Sequence, residues 1–269
     1  MKGYLMIISN TIKSTFTYRA HVLFQIFSSA IAICIQFFLW KAVYGAIDGG
    51  TLSGEIRGMN FNQTFLYVSL AAAIGVLIRT WTDWDMNGQI RSGDIIMFLF
   101  KPVDYIRFMF SNSFGMMAGN FITITLPSFI MIFAVFKAHL SAGWNIPFFF
   151  IALGGSCILS FLFDFIVGTT CFWTLSVWGI SAAKDFIIIF LSGALIPLQF
   201  YPDSIRSVIR FLPFPYMYNL PLTILTSPVG DISLWVEGIA MQFLWIILVY
   251  SGVRAYFQFS LRKLTVNGG

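Results

Sequence analysis

Six apolar runs dominate this 269-residue chain, at about residues 21–45, 61–81, 107–136, 147–178, 183–200 and 232–256. Roughly 20 mostly apolar residues are what the hydrocarbon core of a bilayer requires of one helix. Backbone groups in lipid must pair within their own segment, so each run has to be helical. A membrane barrel would need repeated alternating strands of about ten residues, a pattern the sequence lacks. Composition agrees: hydrophobic residues make up 58%, charged residues 10%, and mean hydropathy is +0.83, against about 25% charged in a soluble domain. Every polar segment is short, so the expectation is an all-α membrane protein with a single transmembrane domain over residues 1–269. Its third and fourth spans are long enough to tilt or to project beyond the bilayer.

Lys and Arg set the direction of the spans. One side carries Lys2, Lys13, Arg19, Arg79, Arg91, Lys101, Arg107, Lys184, Arg254, Arg262 and Lys263, the other only Lys41, Arg57, Lys137, Arg206 and Arg210. Basic residues are retained on the cytoplasmic side, which puts both termini inside. The same rule accounts for the formal charge of +5 without nucleic acid as a partner. Trp40, Trp144 and Trp235 fall at the outer interface and Trp81, Trp84 and Trp178 at the inner one, as an aromatic belt predicts. The first apolar run is too long for the core of a cleavable signal. Before it, Leu5, Ile8, Ile12 and Phe16 recur at helical spacing, which suits a helix lying in the inner interface. Cys34, Cys157 and Cys171 sit inside apolar runs and form neither a disulfide framework nor a metal motif.

Catalytic signatures are missing. There is no phosphate loop, no H-E-x-x-H and no G-x-S-x-G, and His21 and His139 lie near opposite faces. The chain therefore reads as no enzyme, binding no cofactor of its own, and any energy it uses comes from a partner. Residues 87–105, NGQIRSGDIIMFLFKPVDY, stand between the second and third spans. As an amphipathic helix this stretch would insert Ile90, Ile95 and Phe98 into a groove on a soluble partner, with Arg91 and Asp94 fixing register and Gly93 at a turn or a tight contact. As an ordinary loop it would dip the same residues into the interface, and physics alone leaves both readings open.

Two stretches carry a resemblance. RTWTDWDMNGQIRSGDIIMFLFKPVDYIRF (79–108), with Ile90, Gly93-Asp94, an apolar run and Lys101-Pro102, resembles the cytoplasmic loop of type-2 ATP-binding-cassette (ABC) exporter permeases. LSGALIPLQFYPDSIRSVIRFLPFPYMYNLPLTIL (191–225) is similar to the segment after the fifth span in a short, six-span bacterial subfamily. The resemblance implies a permease subunit in the bacterial cytoplasmic membrane, exporting a substrate by alternating access. It would pair with an identical or related permease and bind two copies of an ABC-type ATPase, which would hold ATP and Mg. The coupling helix that docks on the ATPase would be about Met86–Phe98. Tyr201–Leu220 would form a re-entrant, half-helical outer gate, and Pro197, Pro202, Pro213 and Pro215 support broken helix there, since proline removes a donor. An ion-coupled carrier would want paired broken helices and more intramembrane charge; a scaffold or assembly protein would bring no ATPase.

Polar groups inside the spans are the remaining candidates. Asp164 falls near the middle of the fourth span, where a charge costs about 2.5–3.5 kcal/mol on insertion scales, so it has to face protein or water. Asn120 sits at similar depth and is a candidate partner. Asp164 is either a hydrogen-bonding group between helices or part of the substrate path. Ala152, Ser156, Ser160, Asp164 and Gly168 form a line of small and polar residues, and Ser111, Gly115 and Gly119 a second one, both suited to close helix packing. Glu237 lies in the outer part of the sixth span.

Overall fold

The structure, a computed structural model, describes residues 2–17, 19–47, 52, 54–100, 103–136, 143, 145–174, 176–226 and 232–262. Twelve helices are described, α1 (Lys2–Thr17), α2 (Arg19–Ile47), α3 (Phe61–Ile78), α4 (Thr82–Ser92), α5 (Ile95–Leu99), α6 (Tyr105–Asn120), α7 (Leu126–Ala134), α8 (Asn145–Thr169), α9 (Trp178–Leu191), α10 (Asp203–Ile209), α11 (Asn219–Thr226) and α12 (Ile232–Leu261). One two-stranded hairpin, β1 (Glu55–Ile56) and β2 (Met59–Asn60), pairs antiparallel with Glu55 opposite Asn60. Its tight turn uses Arg57 and Gly58 at positive φ, as two-residue hairpin loops require.

Among the described residues, five stretches are long and apolar enough to cross a membrane, Arg19–Ile47, Phe61–Ser92, Tyr105–Ala134, Asn145–Phe172 and Ile232–Leu261. The fifth apolar run of the sequence does not become such a helix. α9 starts earlier than expected and ends after 14 residues, because Gly193 turns at φ +81 and Pro197 follows in extended backbone. The fourth run likewise closes as α-helix at Thr169, before the expected boundary.

α3 is the hub. It is buried nearly all round and touches α2, α6, α7, α8 and α11. α2 and α12 instead leave rows of large apolar side chains exposed, among them Phe24, Phe27, Phe38, Phe243 and Ile247, surface that lipid rather than water accommodates. An Asn60–Gln63 capping box starts α3 beside the hairpin. Between α6 and α7, Phe121–Thr125 form a π-helical turn. Pro127 supplies the reason, since its ring displaces the carbonyl one turn back and it has no N–H to give.

The two small-residue lines are packing surfaces. α1 runs along α6, and a Cβ added at Gly115 or Gly119 would stand 2.8 Å from Thr11 or 2.7 Å from Thr15. Thr11 also donates to Asn112 Oδ1 at 2.9 Å. On α8, Gly168 admits Met86 of α4 and Gly155 admits the Gln242 amide of α12.

Candidate functional site

α3 and α4 fall in one membrane-length stretch, Phe61–Ser92, but are two rods. The helix stops at Ile78, Arg79 is extended at ψ 116, and Trp81 adopts the left-handed conformation at φ 56 before α4 begins. A non-glycine residue there is strained, so surrounding contacts must hold it. They are ionic. Lys184 of α9 reaches Asp83 Oδ2 at 3.0 Å, Asp185 Oδ1 at 3.2 Å and, closer still, Asp164 Oδ1. Thr80 donates to the other Asp164 oxygen and Ser181 to Asp83 Oδ2. Thr82 and Ser113 share a hydrogen bond of 2.7 Å. Arg79 bonds Asp185 Oδ2 at 2.7 Å and lies over the Trp81 ring at 4.2 Å. The Lys184 side chain is only 10% exposed, and those of Asp83 and Asp164 less. One buried cation thus joins α4, α8 and α9 at the break. A buried charge is tolerated only when paired in this way.

Asn120 is not the partner of Asp164. Its amide donates to the Val76 carbonyl at 3.2 Å, because the helix before the π turn aims it at α3. Both residues nevertheless line one cavity of about 360 Å³, together with Ser160, Asp185 and Tyr218. Sequence reasoning counted Lys184 among the basic residues of the inner side and missed its role. The available signal was the pair Lys184-Asp185 standing just before an apolar stretch, at the start of the run that follows the one holding Asp164. Among the described residues no group of His, Cys, Asp or Glu is arranged to hold a metal.

The expected coupling stretch over 86–98 is two helices rather than one, the end of α4 and then α5. Gly93, at φ +80, caps α4, and the short α5 follows. The three expected apolar anchors are used internally. Ile95 is 1% exposed, packed with Met86, Tyr105 and Met109; Ile90 packs against the same group; Phe98 stacks 4.6 Å from the Phe108 ring. They fold back because α5 closes over the ends of α6 and α8, and Tyr105 fixes this by donating to Gln89 Oε1 at 2.9 Å. Arg91 and Asp94 are exposed, and so are two residues the sequence reading passed over, Met97 at 62% and Phe100 at 84%. Lys101 and Pro102 lie outside the described residues.

At the opposite end, near the hairpin, the chain leaves α9, turns and comes back. Pro197, Pro213 and Pro215 are buried and Pro202 is exposed at the start of α10. The buried Tyr201 donates to the Phe190 carbonyl at 2.7 Å, and Arg57 of the hairpin reaches Asp203 at 3.8 Å. Beyond α10 the chain re-enters the bundle. The Tyr216 carbonyl accepts from Gln242 of α12 at 2.8 Å and from Ser156 of α8 at 3.2 Å. Asn219 N–H bonds the Ser192 carbonyl at 3.1 Å, and Tyr67 of α3 donates to Asn219 Oδ1 at 3.1 Å. α11 then returns toward the hairpin end, where Asn145 donates to Leu225.

The family model described as ABC-2 family transporter protein covers residues 12–268. No curated protein matches the chain.

Proposed function

The chain belongs to the ABC-2 transporter family and is a multi-pass membrane subunit of an ABC transporter; from that premise we propose that it is the permease of a bacterial exporter powered by a separate ATPase. Two permease chains, identical or related, pair in the cytoplasmic membrane with both termini inside, and two ATPase subunits dock below. α9 with residues 192–201 makes the fifth of six crossings. Closure of the ATPases on ATP pushes α5, and the spans rock to open a central cavity outward.

The observation that carries this reading is the α4–α5 arm. A rod separated from its membrane helix by a non-helical break ends in an exposed pair, Met97 and Phe100. Ile90, Ile95 and Phe98 fasten the arm to the bundle instead of to the partner, while Arg91 and Asp94 form a charged rim beside the exposed pair. Large apolar anchors surrounded by polar groups are how a docking surface concentrates its binding energy. Asp164 acts as an anchor of the break, since both its oxygens are engaged by Thr80 and Lys184. Residues 201–220 cap the pathway on the outer side.

Affinity purification in mild detergent followed by mass spectrometry tests the assignment. A stoichiometric ABC-type ATPase is expected. Its absence, with the permease folded and dimeric, would remove the ATP-driven reading.

A further inference from the structure

At the hairpin end, a cleft of about 900 Å³ lies between α10 with the re-entrant turn on one side and α12 on the other. Three observations single it out. First, its charges are incompletely paired. Arg206 is bound to Asp203 at 2.8 Å, but the side chains of Arg210 and Glu237, which both line the cleft, make no hydrogen bond or ion pair with the described residues. Glu237 stands in the second turn of a membrane-length apolar helix, between Leu234 and Met241 of the same cleft. Secondly, one more polar group shares the cleft with the two charges. The Tyr216 hydroxyl lines it and donates to the Arg210 carbonyl at 3.3 Å. Thirdly, the walls are amphipathic. Leu234 and Met241 of α12 line the cleft with the charged groups, and Val208 and Phe211 beside Arg210 are exposed at 64% and 74%. Apolar side chains facing out beside arginines are the pattern of a surface at headgroup depth.

We propose that this cleft seats one phospholipid whose headgroup carries both a phosphate and a primary ammonium. The phosphate sits on Arg210, with Arg206 behind it, since a guanidinium matches phosphate oxygens with two parallel donors. The ammonium donates to Glu237, and an acyl chain lies along Leu234 and Met241. An anionic headgroup would satisfy Arg210 but leave Glu237 facing a negative ligand. A trimethylated amine would neutralise Glu237 without donating a hydrogen bond to it.

The test is lipid retention by the delipidated permease, read by native mass spectrometry and thermal shift, with phosphatidylethanolamine, phosphatidylcholine and phosphatidylglycerol as probes. Soluble glycerophosphoethanolamine is a fourth probe and separates the headgroup from the lipid. Phosphatidylethanolamine is expected to be retained most strongly, with the soluble headgroup far weaker because the apolar wall is then unused. Glu237→Gln should remove the preference for phosphatidylethanolamine over phosphatidylglycerol, and Arg210→Gln should weaken retention of both by at least tenfold, through loss of the paired donors to phosphate. Both side chains are exposed, so melting of the lipid-free variants serves as the control for folding. Equal retention of the three lipids overturns the proposal, as does unchanged phosphatidylethanolamine binding in both variants. So does a change of oligomeric state in the variants with lipid retention intact, which would make the cleft a face between copies of the chain.

Discussion

Lys184 is the residue whose surroundings leave the fewest alternatives. Removing it would strand Asp83 and Asp164, both buried, inside the bundle. Breaking a buried pair from one side is destabilising by about 3–5 kcal/mol, so Lys184→Met should lower the melting temperature in detergent far more than Asp164→Asn, which leaves Lys184 two carboxylates. The triple variant Lys184→Met, Asp83→Asn, Asp164→Asn should recover much of the loss, because no uncompensated charge remains. If Lys184→Met melts like the parent chain, the cluster is not what holds the break. A single sequence hides this arrangement for a physical reason. Asp164 announces itself by standing alone in apolar sequence, but its cation lies 20 residues away in the middle of another helix, and only packing reveals that α9 delivers it to the same depth.

At the scale of elements, α5 divides its residues between two jobs. Ile95→Ala removes a side chain from a filled core and should cost about 2–5 kcal/mol, read as a lower melting temperature. Met97→Ala with Phe100→Ala should leave melting unchanged and reduce ATPase co-purification by at least an order of magnitude, as loss of two apolar anchors does; equal co-purification would place docking elsewhere. Amphipathicity located this segment, but it could not say which apolar face turns inward, because the fold of residues 86–100 back onto α6 is set by the Gly93 turn and by Tyr105. The glycines of α6 were easier to interpret. Gly119→Val would drive a branched side chain into Thr15, and freer α1 should appear as faster proteolysis within residues 2–17.

For the whole molecule, the long apolar runs foretold the helical class, and five of the six overlap helical stretches long and apolar enough to cross a membrane. The fifth run does not become such a helix because hydropathy does not register a backbone turn at Gly193, and the π turn likewise leaves apolar composition uninterrupted. Orientation rests on the basic-residue asymmetry. With the native cysteines replaced, a cysteine at Ser204 should react with an impermeant reagent from outside and one at Ser92 only after permeabilisation; the reverse labelling would invert the arm and the ATPase together.

The central position of α3 also dictates a timetable. This helix leaves the ribosome second among the long helices, yet Asn219, which satisfies its Tyr67 hydroxyl, is made about 150 residues later. Until then the face that meets α11 has only lipid or a passing neighbour. Synthesis at about 5–20 residues per second leaves that interval at several seconds or more, during which the nascent chain is a set of inserted helices without a finished centre. Chains ending before residue 219 should therefore insert but remain protease-sensitive and prone to capture by membrane quality control, and chains ending after α11 should not.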